Sequence, residues 1–320
     1  SAIFNWFNRN GDATVFSKSI TESHTLRYGE NPHQKGVFFG DPDRSFVRLH
    51  GKEISYNNLL DIESAISLID EFDDVTCAII KHNNACGVAS RPALKEAWED
   101  ALACDPVSAY GGVVIVNREV DEIAAAEMDK VFLEVVMAPS FTPGAVKILS
   151  SKKNRIILQR RSAGNGRESF RSMLGGVLWQ ERDSSTEQAS GMRPVTARQP
   201  SEEEYLDMVF ANKIVKHSRS NAIVLAKNRQ LCASGIGQTS RIDALRQAIQ
   251  KAKAFGFSLE GAVMASDAYF PFADSVTTAH EAGIAAVVQP GGSVRDQESI
   301  DYCNKTGVAM VFTGVRHFKH

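Results

Sequence analysis

The feature that most constrains this chain is an alternation repeated along most of its length. A short apolar run is followed by a turn, an amphipathic stretch and another short apolar run. VTCAIIK, GGVVIVN, NAIVLAK, GAVMAS, IAAVVQP and VAMVFTG are six or seven residues long and rich in Val, Ile and Ala. Runs of that length and content read as buried strands. Between them lie stretches of helical period. NNLLDIESAISLIDEF (57–72) repeats apolar Leu59, Leu60, Ile62, Ala65, Ile66, Leu68 and Ile69 on one face. ALKEAWEDALACD, SRIDALRQAIQKAKAFG, DSVTTAHEAG and SVRDQESIDYCNKTG read likewise, and VDEIAAAEMDKVFLEVVMA reads as a helix running into a strand. Ser201 with Glu204 three residues on is a capping box opening the helix SEEEYLDMVFANKIVKH. Strand, helix, strand in succession is the pattern of an α/β protein.

A chain of 320 residues suggests two domains or one large one. Residues 159–200, rich in Ser, Gly, Arg and Pro, read as a domain connection. Ile79-Ile80-Lys81-His82 is echoed by Ile214-Val215-Lys216-His217, which raises an internal duplication. Chance accounts for a four-residue echo as readily.

Composition excludes several classes. Hydrophobic residues at 43% and charged residues at 23% exclude a disordered or fibrous chain. A net charge of −2 gives no basic excess for nucleic acid or a membrane surface. No apolar run reaches the ~20 residues of a membrane span. SAIFNWFNRNGD lacks the order of a secretory signal. A cytoplasmic protein is the expectation, with residues 1–25 a linker or the remnant of a preceding domain. The five cysteines, Cys77, Cys86, Cys104, Cys232 and Cys303, form no CxxC pair, so a disulfide framework or zinc site is not expected. Zinc-deaminase and nucleophile-elbow motifs are absent.

Four segments could carry chemistry. Lys81-His82 directly follows a strand, where α/β sheets present ligands. The Lys offers a fixed charge and the His a proton near neutral pH. On spacing alone, a surface Lys beside a core-edge His is the plainer reading. Arg27-Tyr28-Gly29-Glu30-Asn31-Pro32-His33-Gln34 places a guanidinium in a glycine turn, either a phosphate grip or an ordinary turn. SGIGQTSR (234–241) opens a helix and could offer backbone N–H groups to an anion, or be a structural turn. In ASDAYFPFADS (265–275), Tyr269, Phe270 and Phe272 form either a wall for a flat ligand or a plug under a loop.

LRYGENPHQ, IIKHNNACGVA, DPVSAYGGVV, EVVMAPSFTPGAVKILSSKKN, VKHSRSNAIVLAKN, SRIDALR, SDAYFPFADSV, QPGGSVRDQE and VFTGVRHFKH occur in this order. Together they resemble the AICAR transformylase part of the bifunctional purine-biosynthesis protein family, from about Leu26 to His320. The resemblance implies two duplicated cytidine-deaminase-like units, each a three-layer α/β/α arrangement without the deaminase zinc, over residues 26–185 and 186–320. It implies formyl transfer from the co-substrate 10-formyltetrahydrofolate to the 5-amino group of AICAR, in purine biosynthesis.

In that reading His82 takes the amine proton. Lys81 stabilises the oxyanion or helps protonate the departing folate nitrogen, and Asn221 holds the formyl oxygen or orients His82. Arg27, Tyr28, Asn58, Gly111, Glu134, Arg316 and Phe318 match nucleotide contacts. Arg241, Ile242, Tyr269, Pro271 and Asp274 match the folate side. Ala85, Tyr269 and the CASGIGQTSR turn depart from the usual family pattern. The resemblance also implies a homodimer with shared sites, a cyclohydrolase domain or partner, no catalytic metal, and room for a structural monovalent cation on backbone carbonyls. The alternative is a catalytically silent nucleotide-binding or scaffolding half.

Overall fold

A computed structural model describes residue 16, residues 18–161 and residues 166–320. Most of the segment expected to be a linker, residues 1–15 and 17, lies outside these. The chain opens with a hairpin, β1 (Ser23–Leu26) and β2 (Gly36–Phe39), and then β3 (Phe46–His50). Next come α1 (Tyr56–Ile69), β4 (Thr76–Lys81), β5 (Asn84–Ser90), α2 (Leu94–Cys104) and the single turn α3 (Pro106–Ala109). The first half finishes with β6 (Val113–Val116), α4 (Glu122–Asp129), β7 (Val135–Ala138), α5 (Pro143–Leu149) and β8 (Ile156–Arg160).

A separate hairpin follows, β9 (Glu168–Met173) with β10 (Gly176–Glu181), and then the short β11 (Arg193–Pro194). The second half runs α6 (Glu202–Lys216), β12 (Ile223–Lys227), β13 (Gln230–Gly235), α7 (Arg241–Ala254), β14 (Ala262–Ser266), α8 (Asp274–Glu281), β15 (Ile284–Gln289), α9 (Asp296–Thr306) and β16 (Ala309–Phe312). The expected capping box at Ser201 and Glu204 starts α6, and Ser55 with Asn58 makes the matching box on α1.

Twelve strands form one mixed sheet, ordered β11-β16-β15-β14-β12-β13-β5-β4-β6-β7-β8-β3. From its centre the order reads the same in both directions. Each half has an antiparallel hairpin, a further antiparallel neighbour, two parallel steps and an antiparallel edge strand. The central pair, β13 and β5, is antiparallel, with Gln230 opposite Ala89.

The sheet is the middle of three layers, because successive strand residues serve opposite faces. Ala78, Ile80, Val113, Ile115, Val224 and Val263 face α1 and α6. Cys77, Ile79, Val114 and Val116 face α2, α4 and α5, while Ile223, Leu225 and Met264 face α7, α8 and α9. Burial of both faces explains why β6 and β7 are continuous apolar runs.

Two sequence expectations need correction. The echoed Lys-His pairs are not equivalent: Lys81-His82 lies at a strand end, whereas Lys216-His217 closes helix α6. Residues 159–200, read as connection, contain the β9–β10 hairpin. The strand ending at Lys81 is as expected, and two strands not read in the sequence, NACGVAS (β5) and QLCASG (β13), add to the sheet's centre.

Candidate functional site

β4 delivers Lys81 to the mouth of the sheet. The next two residues, His82 (φ 51) and Asn83 (φ 65), turn the chain back into β5. Left-handed backbone is costly for non-glycine residues and needs support. That support comes from α1: Asp61 Oδ1 accepts the Asn83 N–H at 2.6 Å, and Ser64 Oγ donates to Asn83 Oδ1 at 3.3 Å. Burial raises the Asp61 carboxyl pKa, and the turn amides with His82 and Lys81 oppose the rise.

Lys81 Nζ donates to the Tyr110 carbonyl at 2.5 Å. Gly111 is also left-handed (φ 72), and a Cβ there would stand 3.4 Å from Lys81 Nζ. Lys81 and His82 open onto a cleft of about 250 Å³, lined also by Asn84, Ser108, Ser234 and Lys251. Lys251 comes from α7 and pairs with the buried Asp105 at 2.6 Å.

A larger cleft of about 390 Å³ lies at the start of α7. Asn221, Arg241, Ile242, Tyr269, Pro271, Asp274, Arg316 and Phe318 all line it. All five residues expected on the folate side thus converge, together with Asn221 and the two tail residues. The Arg241 guanidinium is buried. It pairs with Asp267 Oδ1, donates to Asn221 Oδ1 at 2.8 Å and donates to the Tyr269 carbonyl at 3.2 Å. Asn221 Nδ2 donates to the carbonyls of Gln238 (3.0 Å) and Thr239 (3.2 Å). Its amide N–H groups are therefore spent on the loop before α7. Asp267 is fully buried and its Oδ2 has no partner.

The aromatic loop divides. Phe270 is a plug in the core, while Tyr269 and Phe272 are exposed. Arg295, which sequence reading passed over, stacks on the Phe272 ring at 4.7 Å.

The loop between β13 and α7 borders both clefts, with Ile236 on the smaller and Thr239 on the larger. Asn84 Oδ1 accepts the Arg219 N–H at 3.4 Å, and the Arg219 carbonyl accepts the Gly237 N–H at 2.9 Å. The remaining expected nucleotide residues sit outside both cavities. Arg27 is exposed and lies over the Tyr28 ring at 5.4 Å. Asn58 Oδ1 caps the start of α1, and Glu134 pairs with Lys52 at 2.5 Å. Gly111 lies behind the smaller cleft, against Lys81 and Phe132.

At the tail, Arg316 lies over the Phe318 ring at 4.4 Å. Between them His317 is buried, with Nδ1 at 2.6 Å from Asp183 Oδ2 and Nε2 at 2.8 Å from Glu187 Oε2. Burial pushes the imidazole pKa down, but the two carboxylates outweigh it and raise it to about 9. Asp61 carries no signal in the sequence, because a single charged residue on a helix looks like solvated surface, and the sequence offers no partners for Asp267 or His317 because these lie far away along the chain. The five cysteines are buried free thiols, their pKa raised by burial, to about 12 at Cys86. Among the described residues, no three His, Cys, Asp or Glu side chains converge to hold a metal ion.

This is a three-layer α/β protein whose central sheet opens into adjoining cationic and aromatic clefts, chemistry suited to a flat ligand and an anionic one. The chain belongs to the AICARFT/IMPCHase bienzyme family, whose model matches residues 1–251. It is 59% identical over 320 residues to the bifunctional purine biosynthesis protein PurH of Bacteroides thetaiotaomicron, covering 100% of this chain and 63% of that protein. The PurH proteins of Acetivibrio thermocellus (49% over 316 residues, 96% of this chain, 61% of that protein) and Aquifex aeolicus (50% over 301 residues, 92% and 59%) are also similar. The chain thus spans less than two thirds of the length of these relatives. Among solved structures, a diaminohydroxyphosphoribosylaminopyrimidine deaminase/5-amino-6-(5-phosphoribosylamino)uracil reductase from Thermotoga maritima aligns over 34% of each chain. Its 20% identity and TM-score of 0.24 are too low to bear on the fold.

Proposed function

We propose that this chain transfers a formyl group from 10-formyltetrahydrofolate to the 5-amino group of AICAR, giving FAICAR and tetrahydrofolate in purine biosynthesis. The observation that carries the reading is the convergence of Asn221, Arg241, Ile242, Tyr269, Pro271, Asp274, Arg316 and Phe318 around one cleft adjoining Lys81-His82.

The amine nitrogen attacks the formyl carbon, the new C–N bond forms, and the bond from that carbon to folate N10 breaks. His82 takes the amine proton. Lys81 holds the developing oxyanion or supplies the proton that N10 gains on leaving. Lys81 already donates to a backbone carbonyl, so its ammonium is oriented before substrate arrives. With both Nδ2 hydrogens of Asn221 engaged by the loop, its part is to shape that loop beside His82 rather than to donate to the formyl oxygen. Arg27 and Arg316 supply charge for the nucleotide phosphate. Tyr28, Asn58, Gly111, Glu134 and Phe318 complete that side. Tyr269, Pro271 and Ile242 form the apolar wall for the folate, with Arg241 and Asp274 at its polar edge.

Arg27, Tyr28, Asn58 and Glu134 lie apart from the clefts within one chain, which favours a homodimer that brings them together. The mirrored strand order supports duplicated cytidine-deaminase-like units at 26–185 and 186–320. A cyclohydrolase domain, in the same protein or as a partner, would use the product, and the setting is cytoplasmic. A structural monovalent cation would find a buried, unpartnered carboxylate oxygen in Asp267 Oδ2.

The test is calorimetric titration of the purified chain with AICAR and with 10-formyltetrahydrofolate, followed by product analysis with both present. Binding of both with FAICAR formed supports the transferase. Binding of AICAR without turnover supports the silent nucleotide-binding alternative.

A further inference from the structure

Residues 316–319 alternate in burial. Arg316 and Phe318 face outward and line the larger cleft, while His317 and Lys319 point into the protein. The inward side is fastened at several points. His317 N–H donates to the Asp267 carbonyl at 2.9 Å. The Lys319 N–H donates to Ser220 Oγ at 3.0 Å, and Lys319 Nζ donates to the His217 carbonyl at 3.1 Å. Both ring nitrogens of His317 meet carboxylate oxygens, so both must carry hydrogen.

Those carboxylates, Asp183 and Glu187, belong to the stretch between β10 and β11, which composition marks as mere connection. It is itself anchored. Asn212 Nδ2 on α6 donates to Glu187 Oε2 at 2.8 Å. Lys216 Nζ donates to the Ser185 carbonyl at 2.6 Å, and Thr186 Oγ1 donates to Glu71 at 2.6 Å. A continuous polar path therefore runs from α6 through residues 183–187 to the tail.

We infer that His317 is a positioning residue: clamped between Asp183 and Glu187, it makes the connecting segment a strap that sets Arg316 and Phe318 at the ligand cleft. The inference rests on the reading above that these two side chains contact the nucleotide. The tail has no secondary structure beyond β16 to place it. Its side chains are placed by the strap and by the backbone bonds at 317 and 319. Releasing the clamp frees a short segment whose ordering must then be met on each binding event, which weakens binding before it slows chemistry.

The experiment compares three proteins with the parent: His317→Leu, the double variant Asp183→Asn/Glu187→Gln, which opens the same clamp from the other side, and Arg316→Ala. AICAR affinity is read by calorimetry, KM for each substrate and kcat by kinetics, and tail order by amide hydrogen exchange over residues 314–320. The expected result is faster tail exchange and an AICAR KM raised about tenfold or more in both clamp variants, with the folate KM and kcat changed far less. If His317→Leu fails to fold, the double variant carries the test, since it leaves the buried imidazole volume filled. Unchanged AICAR affinity in the clamp variants, while Arg316→Ala loses it, overturns the positioning role and leaves the site reading standing. Unchanged affinity in Arg316→Ala overturns the site reading, and the positioning role with it.

Discussion

The turn between β4 and β5 and the turn between β12 and β13 are built alike and used differently. Each strand ends in a lysine, Lys81 or Lys227. Two left-handed residues follow, His82-Asn83 in one and Asn228-Arg229 in the other, all with φ between 51 and 65. Each turn rests on an aspartate from the helix before it. Asp61 accepts from Asn83, and Asp207 accepts from Asn228 (2.8 Å) and Arg229 (2.6 Å). Burial raises the pKa of both carboxyls.

Because β5 and β13 run antiparallel, the two turns lie at opposite ends of the sheet. At the second turn, which is as exposed as the first, two basic side chains tie the surrounding loops to it. Lys227 Nζ donates to the Glu260 carbonyl, and the Arg91 guanidinium, paired with Asp100, donates to the Asn228 carbonyl. At the first turn the space is a cleft. The backbone device is therefore structural and shared, and what sets the first turn apart is the cleft beside it.

The largest expected effect breaks the likeness between the lysines. Lys81→Ala should lower kcat by about 10²–10³, the worth of a fixed group at a developing oxyanion. Lys227→Ala should leave kcat within about twofold and cost only its surface hydrogen bond. Equal losses, measured by initial rates, would show that both act through stability.

Next come the two substrates. Arg27→Ala should raise the AICAR KM by about 10- to 150-fold, the range for losing a charge-assisted contact. Tyr269→Ala should mainly raise the folate KM. Kinetics with both substrates varied separate the two, and a folate-only effect of Arg27→Ala would misplace the nucleotide.

A finer contrast lies beneath the turns. Asp61→Asn and Asp207→Asn should each destabilise by about 1–2 kcal/mol through a weakened acceptor under buried amides. Only Asp61→Asn should also reduce kcat, because it loosens His82. Thermal melts alongside kinetics decide it.

The smallest effect concerns the seam between the halves, where Glu71 accepts from Lys216 at 2.7 Å and meets His217 Nε2 at 2.9 Å. Burial alone would raise the Glu71 pKa, but hydrogen bonds from His217, Lys216 and Thr186 bring it down to about 2. A carboxyl whose folded pKa is depressed stabilises fully above its unfolded value near 4.5 and loses that contribution as pH falls toward 2. Denaturant midpoints should therefore fall across that window in the parent, with a shallower slope in Glu71→Gln.

Legibility in the sequence followed physical cause. Strands buried on both faces, such as VVIV and VVMA, announce themselves by composition. The two central strands did not, because NACGVAS and QLCASG are made of small residues that read as turns. They are small because helices pack closely there. A Cβ on Gly87 would lie 2.0 Å from the Ala101 carbonyl oxygen, and one on Gly235 would lie 1.8 Å from that of Ala244. The β9–β10 hairpin escaped notice since it buries no face and turns through a left-handed Leu174.

The true correspondence of the halves was present as Lys81 with Cys86 and Lys227 with Cys232, each pair five apart. The louder IIKH and IVKH echo hid it. The larger cleft was legible through motif order. Its supports, Asp267, His317 and the strap carboxylates, were not, because their partners are distant in sequence.

The most direct measurement compares tetrahydrofolate release from 10-formyltetrahydrofolate in the parent, in His82→Ala and in Asn228→Ala, with and without AICAR. The account predicts AICAR-dependent release in the parent, a fall of about 10²–10⁴ in His82→Ala, and near-parent turnover in Asn228→Ala despite lower stability. Full turnover in a folded His82→Ala protein, or equal losses at the two turns, would contradict it.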